Sequence, residues 1–226
     1  MSEIMVVCDD VSRTYGTGPS AVVAVHGTSC TVPAGARIAV AGPSGSGKST
    51  LLHLMAGLER PTRGEVRWPG LPATAGARAH RIGVVFQGPS LVPTLDVAEN
   101  TGLPLVIAGV DRTETARRVT EALELVDVAE LAAKLPEEIS GGQAQRVAVA
   151  RVLAQRPLLV LADEPTGQLD HAAGRRLLDA LLAATDHVGA ALVVTTHDST
   201  VADRLGTHWT MREGRLIMTA PDAVRS

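Results

Sequence analysis

The stretch from Ala39 to Leu52, with the sequence AVAGPSGSGKSTLL, decides the fold. An apolar run leads into a glycine-rich segment, and residues that favour a helix follow. The segment matches the pattern G-x-x-x-x-G-K-[ST], in which backbone N–H groups cradle phosphates and the lysine adds a positive charge. A flexible glycine and serine loop would not explain Lys48 or the apolar flanks. We therefore predict a phosphate-binding loop between a strand and a helix, formed by Gly42, Pro43, Ser44, Gly45, Ser46, Gly47, Lys48, Ser49 and Thr50.

The composition limits the classes of protein to which the chain can belong. Its 226 residues, 45% of them hydrophobic, suffice for a large core. The formal net charge is -3 and the sequence has no long run of lysine or arginine. Nucleic acid is therefore not an expected partner.

The cysteines and the N-terminal sequence indicate where the protein works. Cys8 and Cys30 lack the spacing of a metal site, so we expect buried, reduced thiols of a cytosolic protein. The segment from Met1 to Asp10 lacks the basic residues and the apolar length of a signal peptide. No apolar run approaches the ~18 residues that are needed to cross a membrane. If the protein works at a membrane, we expect another chain to hold it there.

Short valine-rich runs before the phosphate loop predict an antiparallel β layer. The runs are Ile4 to Cys8, Ala21 to Val25 and Ser29 to Val32, separated by turn-forming residues. Tyr15, the only tyrosine, falls between the first two runs and is predicted to lie in a loop. Its ring could fill the core or provide a stacking platform for a nucleotide base. The residue alone leaves both interpretations open.

Later apolar runs end in polar side chains and are predicted to be buried strands. They end in Gln87, in Asp163 and Glu164, and in His197. Strand ends are common sites in open α/β sheets, so these groups are predicted to converge on one nucleotide. Beside a phosphate loop, the first acid suits magnesium and the second can orient or deprotonate an attacking water. The alternatives are a solvated turn for the two acids and a structural role for the histidine.

The segment from Gly88 to about Arg156 is predominantly helical and predicts a separate lobe. Within it, the helix predicted from Asp111 to Asp127 has apolar residues spaced for one face. These residues are Ala116, Val119, Leu123 and Val126.

The end of this lobe carries a second informative stretch, Ser140 to Gln143, here called the signature segment. Its ends have the S-x-x-Q spacing of a capping box, which predicts the start of a helix. Gly141 and Gly142 lie between them and allow a close approach to the backbone. An ordinary cap explains the serine and the glutamine, whereas an anion site would also explain the glycine pair.

With these motifs the sequence resembles the nucleotide-binding subunit of an ABC transporter over nearly its whole length. The signature segment is the most specific element, because it lies between the phosphate loop and the strand that leads to Glu164. The departures from the family pattern are small: Ile139 stands where leucine is usual, Ala144 replaces a common glutamine, and Gly167-Gln168 replaces serine and alanine. None removes a catalytic group, so we expect an active ATPase.

The resemblance implies a role for individual residues. Tyr15 would stack on the adenine, and Glu164 would be the general base. His197 would contact the γ-phosphate and, with Gln87, hold charge in the transition state. Gln87 would also sense magnesium and the membrane partner, and Asp170 lies in the loop that links the two subunits.

The resemblance also implies cofactors, partners and a place of action. ATP and Mg²⁺ are the expected cofactors, with Ser49, Gln87 and Asp163 directed to the metal. Two copies would bind two Mg-ATP head to tail, each nucleotide held by the phosphate loop of one copy and the signature segment of the other. The expected place is the cytoplasmic side of the cell membrane, as a peripheral subunit that drives a separate integral membrane permease.

The implied fold is α/β, a P-loop NTPase core of ABC type with an antiparallel β subdomain and an inserted helical subdomain. Residues 1–226 would form one domain, with residues 1–87 and 158–226 as core and β layer and residues 88–157 as the helical subdomain. Val85-Phe86-Gln87, Leu91 to Leu95, Glu99-Asn100 and Pro104-Leu105 resemble the lipoprotein-releasing, macrolide-export and cell-division ATPases. This subgroup favours export, release or mechanical transmission over import.

Two other functions are alternatives on the sequence alone. A soluble ABC-type ATPase that acts on nucleic acid or ribosomes usually carries two nucleotide domains, coiled-coil insertions or basic surfaces, which this sequence lacks. A small-molecule kinase would need an acceptor pocket and would leave the signature segment unexplained. A permease that transmits force without transporting a substrate is a variant of the main hypothesis.

Overall fold

The computed structural model describes residues 3–218. Met1, Ser2 and residues 219–226, which the predicted domain includes, lie outside the described residues. The chain forms two compact units, the first within Met1–Leu71 and Ala191–Ser226 and the second Pro72–Ala190. The division at residues 87 and 158 follows sequence motifs instead, and it stays a prediction.

Strands and helices are interspersed along the described residues, with three strands at the start and two at the end. The strands are β1 Ile4–Tyr15, β2 Val22–Pro33, β3 Arg37–Ala41, β4 Arg63–Arg67, β5 Ile82–Val85, β6 Leu159–Asp163, β7 Ala191–Thr196, β8 Thr207–Arg212 and β9 Arg215–Met218. The α-helices are α1 Lys48–Ala56, α2 Ala75–Ala79, α3 Val97–Ile107, α4 Arg112–Leu125, α5 Gly141–Ala154, α6 His171–His187 and α7 Ser199–Ala202. Short 3-10 turns cover Gly18–Ser20, Ala129–Leu131 and Pro136–Glu138.

The antiparallel layer predicted for the first unit is confirmed, as a three-stranded sheet in the order β2-β1-β4. The runs expected at Ala21 to Val25 and Ser29 to Val32 are, however, one continuous strand. An irregularity in the register with β1 accommodates Gly27, whose N–H donates to the Oγ of Ser12 at 2.9 Å. β1 also continues to Tyr15, so the prediction that this residue lies in a loop was wrong.

The remaining strands of the first unit run in the order β7-β3-β8-β9. β3 is parallel to β7 and β8, and β9 returns antiparallel to β8. β8 and β9 form a hairpin, and its turn residues Glu213 and Gly214 have φ values of 47° and 73°, as tight hairpin turns require. Ala41 lies opposite Thr196, so β3 and β7 end at the same edge.

In the second unit, β5 pairs in parallel with β6, and Val85 lies opposite Ala162. Every residue of β6 is buried, as is typical of a strand covered on both faces. Helices α3, α4 and α5 pack on one another, which confirms the predicted helical character of this segment. The ends of β5 and β6 therefore bring the segments around Gln87 and Asp163 to one edge of the unit.

Helix α4 is the predicted amphipathic helix, and Asp111 caps its first turn. Its buried face is made of Val119, Ala122 and Leu123. Ala116, predicted for this face, is exposed. Each residue advances by about 100° around a helix, which places Ala116 toward the edge of the stripe that the buried residues define.

Candidate functional site

The phosphate loop connects β3 to α1, as the sequence predicts. Gly47 immediately precedes α1 and has φ 101°, in the left-handed region that favours glycine. A Cβ at this position would lie closer than 3.0 Å to the carbonyl oxygen of Ala24 in β2, which real Cβ atoms essentially never do. Glycine is therefore required here both by the conformation of the loop and by its contact with β2.

Lys48 is the first residue of α1 and is only 5% exposed. Its Nζ donates to the carbonyl oxygens of Gly42 at 2.9 Å and Pro43 at 3.1 Å. These bonds hold the ammonium group against the loop, where it can meet the oxygens of a phosphate. Ser46 contributes a buried Oγ that has no hydrogen-bond partner among residues 3–218. The Lys48 ammonium and the Ser46 hydroxyl are both groups that can bind the oxygens of a polyphosphate.

The hydroxyl residues that follow differ in exposure. Ser49 is exposed and Thr50 is half-buried, both in the first turn of α1. A serine oxygen at the start of this helix is a hard ligand of the kind that Mg²⁺ accepts.

His197 directly follows β7 in the first unit. The carbonyl oxygen of the preceding residue, Thr196, accepts a hydrogen bond from the N–H of Gly42 at 3.2 Å. The backbone of the histidine therefore starts beside the beginning of the phosphate loop, and its side chain is exposed.

Tyr15 ends β1 with its side chain fixed at both the hydroxyl and the ring. The hydroxyl donates to Oε1 of Glu59 at 2.7 Å. The guanidinium of Arg13 lies 4.6 Å from the centre of the ring and also donates to Glu59, at 2.7 Å. Since Tyr15 remains 37% exposed, part of the ring is open to a stacking partner.

The two acids predicted at a strand end occupy distinct positions in the second unit. Asp163 is the last residue of β6 and is 5% exposed. Glu164 follows with φ 44°, a strained value for a residue other than glycine. Its carbonyl oxygen accepts a hydrogen bond from the N–H of Gly167 at 3.1 Å, closing a tight turn. The turn fixes the direction in which the Glu164 side chain leaves the backbone.

Asp170 ends this loop and caps α6. Its Oδ1 accepts hydrogen bonds from the N–H groups of Ala173 at 2.8 Å and Ala172 at 2.9 Å. These bonds, the one from Ala173 first, lower the pKa of Asp170 below its ordinary value. The resemblance placed this residue in a loop that links two subunits, and the described contacts show that it also starts a helix.

Gln87 lies two residues beyond β5 and is exposed. The parallel register of β5 and β6 brings its segment to the edge where β6 ends in Asp163. The structure thus groups Gln87 with the two acids in the second unit, and His197 with the phosphate loop in the first. The predicted convergence of all these groups on one nucleotide stays a prediction.

The signature segment begins α5 with the predicted capping box. Gln143 donates its N–H to Oγ of Ser140 at 3.2 Å, and the N–H of Ser140 donates to Oε1 of Gln143 at 2.8 Å. A Cβ on Gly141 would meet nothing within 4 Å, whereas one on Gly142 would lie 3.0 Å from the side chain of Leu169. The start of α5 is therefore satisfied internally and open to approach at Gly141.

The donor set is suited to magnesium held with phosphate. Among residues 3–218, no cluster of three or more histidine, cysteine, aspartate or glutamate side chains could hold a metal by itself. Mg²⁺ usually takes only one or two protein oxygens and completes its shell with substrate phosphates and water. Ser49 in the first unit and Asp163 in the second each carry an oxygen of this kind, and their joint use of one ion stays a prediction.

Residues 25–167, more than half of the chain, match the family model described as ABC transporter. The chain belongs to the ABC transporter family. A relative from Thermotoga maritima, named an uncharacterized ABC transporter ATP-binding protein, is 42% identical over 92% of this chain and 91% of its own. The lipoprotein-releasing system ATP-binding protein LolD of Geobacter metallireducens is 41% identical over 96% of this chain and 99% of its own.

A solved structure extends the comparison to the fold. The ATP-binding cassette MJ0796, described as a dimer in a post-hydrolysis state with ADP and Pi, matches with a TM-score of 0.85. It is 32% identical to this chain, and the match covers 98% of this chain and 100% of MJ0796. These findings confirm the predicted α/β fold of ABC type and the prediction of an ATP-binding subunit with ATPase activity.

Three side chains of this ABC ATPase that hold the loop after β5 were not predicted as functional residues. Gln145 and Arg151 of α5 and Asn100 of α3 hydrogen-bond to its backbone. A glutamine and an arginine on a helix with an apolar face were a weak signal, since both are also common on solvated faces. Asn100 contributed to the family resemblance, but no structural role was predicted for it.

Proposed function

We propose that this ABC ATPase binds and hydrolyses Mg-ATP to drive a separate integral membrane permease, for export, lipoprotein release or mechanical transmission. The observation that most supports the proposal is the structure at the start of α5. It is a complete helix cap, yet nothing lies within 4 Å of a Cβ at Gly141. A helix start of this kind fits an anion held by a second chain.

In this proposal the phosphate loop binds the nucleotide of its own chain. The backbone N–H groups of the loop and the Lys48 ammonium hold the β- and γ-phosphates. Ser49, Asp163 and Gln87 are directed to Mg²⁺, which when bound neutralises phosphate charge. Tyr15 stacks on the adenine, supported by its partly exposed ring and its fixed hydroxyl.

Hydrolysis is assigned to the turn after β6. Glu164 accepts a proton from a water molecule while the water oxygen attacks the γ-phosphorus. The bond between that phosphorus and the oxygen bridging to ADP breaks, and ADP and phosphate are the products. His197 and Gln87 stabilise charge on the γ-phosphoryl group. The tight turn at Glu164, with φ 44°, supports this role because it fixes where the carboxylate starts.

The working form is proposed to be a dimer with a second nucleotide-binding chain, most simply a second copy. Ser140, Gly141, Gly142 and Gln143 would then act on the nucleotide of that copy. The dimeric state of the related cassette MJ0796 supports this arrangement.

The permease is proposed to dock on the segment of residues 88–100, which is a loop up to Asp96 and the first turn of α3 from Val97. Leu91 and Leu95 in this loop are only partly buried. On the helix that follows, Val106 and Ile107 are 64% and 72% exposed, which suits an apolar contact with another protein. No α-helix within residues 3–218 meets the length and hydropathy of a membrane span. The proposed place is the cytoplasmic side of the membrane, and the name of the Geobacter relative supports lipoprotein release as one form of the work.

The experiment is gentle-detergent purification of the tagged chain from its native cells, with identification of the chains that accompany it. A permease with few spans and a large extracytoplasmic domain would support the proposal. Many spans together with a solute-binding protein would point to import. Ribosomes or nucleic acid without a membrane chain would contradict the proposal.

A matched pair of variants tests the docking surface in the same purification. Leu91→Asp with Leu95→Asp should abolish recovery of the permease, because a charge at an apolar contact is costly to bury. Leu58→Asp changes a 57% exposed leucine outside the loop and should leave recovery unchanged. Equal recovery with both variants would place the docking surface elsewhere.

A further inference from the structure

The loop after β5 is held by helix α5, which also carries the signature segment. Gln145 Nε2 donates to the carbonyl oxygen of Phe86 at 3.1 Å. That carbonyl belongs to the same peptide unit as the nitrogen of Gln87, so the bond orients the backbone from which the Gln87 side chain leaves. The contact joins residues that are 59 positions apart in the sequence.

Arg151 holds the next part of the same loop. Its two terminal nitrogens donate to the carbonyl oxygens of Pro89 at 3.3 Å and Ser90 at 2.9 Å. Ser90 has φ 47°, so the loop is held in a conformation that its sequence alone would not favour. Arg151 lies six positions after Gln145, a rise of about 9 Å along a helix, and the two contacts therefore hold the loop at two separate points.

Burial of the polar groups of these two side chains costs free energy that a purely structural contact would not require. Gln145 is 0% exposed, and its Oε1 has no hydrogen-bond partner within the described chain. Burial lowers the pKa of Arg151, and among residues 3–218 no carboxylate forms an ion pair with it. Apolar side chains would pack here without such costs. What these polar groups supply, and apolar groups would not, is the direction that their hydrogen bonds give to the loop.

We propose that Gln145 and Arg151 are positioning residues that act through Gln87. They connect the loop that carries Gln87 to the helix that begins at Ser140, so that a displacement of the loop or of the helix also displaces the other. The inference rests on the proposed function, since it assigns these residues a part in the same ATPase reaction. The two side chains are called the α5 brace below.

The test compares variants of one helix that remove hydrogen bonds of the same kind. Gln145→Leu keeps the approximate size of the side chain and removes its donor, and Arg151→Gln removes the charged guanidinium that donates to Pro89 and Ser90. Arg146→Gln is the matched control. Arg146 also donates to two backbone carbonyl oxygens, of Val126 and Asp127, but these lie at the end of α4.

The readouts are steady-state ATP turnover and hydrogen exchange of the loop. Each brace variant should lower kcat about tenfold and leave the KM for ATP within about twofold, because the phosphate loop is untouched while Gln87 is misplaced. Exchange at residues 86–91 should become faster in these variants. Arg146→Gln should accelerate exchange near residues 126–128 instead, with kcat close to that of the unaltered chain. Arg151→Lys, which keeps the positive charge and the N–H donors of an ammonium group, should recover part of the lost kcat.

The outcomes separate this inference from the proposed function. Faster exchange at residues 86–91 with unchanged kcat would show a structural contact only and overturn the inference. An equal loss of kcat in Arg146→Gln would overturn it as well, because general loosening of α5 would then suffice. If the unaltered chain turns over no ATP, the proposed function fails first and the inference fails with it.

Discussion

The substitution Gly47→Ala tests whether the phosphate loop is locked by its contact with β2. Gly47 has φ 101°, and a Cβ there would overlap the carbonyl oxygen of Ala24 and lie 3.0 Å from the Cε of Met211. Gly45 offers a control in the same loop. It has φ 74°, but a Cβ there would meet nothing within 4 Å.

The magnitude follows from these two differences. A left-handed conformation costs an alanine about 1 to 2 kcal/mol, and this cost applies to both positions. Overlap with a backbone atom in a well-packed region adds about 1 to 3 kcal/mol, and this cost applies to Gly47 only. We therefore expect Gly45→Ala to lower the free energy of unfolding by about 1 kcal/mol and Gly47→Ala by about 3 kcal/mol. For a chain of this size the second value corresponds to a fall in Tm of roughly 6 to 12 °C.

Urea and thermal unfolding of the two variants measure the stabilities, and titration with a fluorescent ATP analogue measures nucleotide binding. Gly47→Ala should also weaken binding, since relief of the overlap moves the residue that precedes Lys48. Equal destabilisation by the two substitutions would refute the argument, because the contact with Ala24 would then carry no cost.

Three further predictions follow from other parts of the chain. Gly141→Ala should leave the free energy of unfolding unchanged or raise it by up to about 1 kcal/mol, because alanine favours a helix. It should nevertheless lower ATP turnover at least tenfold. Unchanged turnover would show that this glycine is not part of the site. Asn100→Ala should lower the free energy of unfolding, measured in urea, by about 2 to 4 kcal/mol. The reason is that the buried side chain makes four hydrogen bonds to the backbone of Val92, Leu95 and Asp96. A decrease of less than about 1 kcal/mol would contradict its anchoring role. Hydrogen bonds from Arg117, and then from Arg118, lower the pKa of Glu114 from 4.5 to about 2, so its stabilising effect is complete above pH 4.5 and is lost as the pH falls towards 2. The fall in Tm between about pH 7 and pH 3 should therefore be smaller in Glu114→Gln than in the unaltered chain, and an equal fall would contradict the assignment.

Features of the fold that depend on neighbouring residues could be predicted from the sequence. The capping box of Ser140 and Gln143 and the loop that ends at Lys48 are examples, because their residues interact with partners no more than 6 positions away in the sequence. The extent of β1 could not be predicted in this way. Its end at Tyr15 depends on pairing with β2 across a turn, and the irregular register that places Gly27 inside a strand arises only in the sheet.

The candidate site divides in the same way, into residues that a local sequence pattern indicates and residues that it does not. The residue types that bind phosphate and activate water stand at the ends of strands, where the sequence pattern itself marks them. Side chains that act at long range, such as Gln145 and Arg151, reach backbone atoms about 60 residues away and leave no local pattern. The exposure of Ala116 was missed for a related reason, since helical periodicity gives the direction of a face but not its edges.

ATP turnover by Glu164→Gln tests the central claim most directly. The control is Glu130→Gln, which changes an exposed glutamate of a short 3-10 turn in the same unit. Loss of the general base should lower kcat by about 100-fold to 10,000-fold while the affinity for ATP stays within about threefold, and the control should retain full turnover. Near-normal turnover by Glu164→Gln would contradict the account, because the proton of the attacking water would then go to another group.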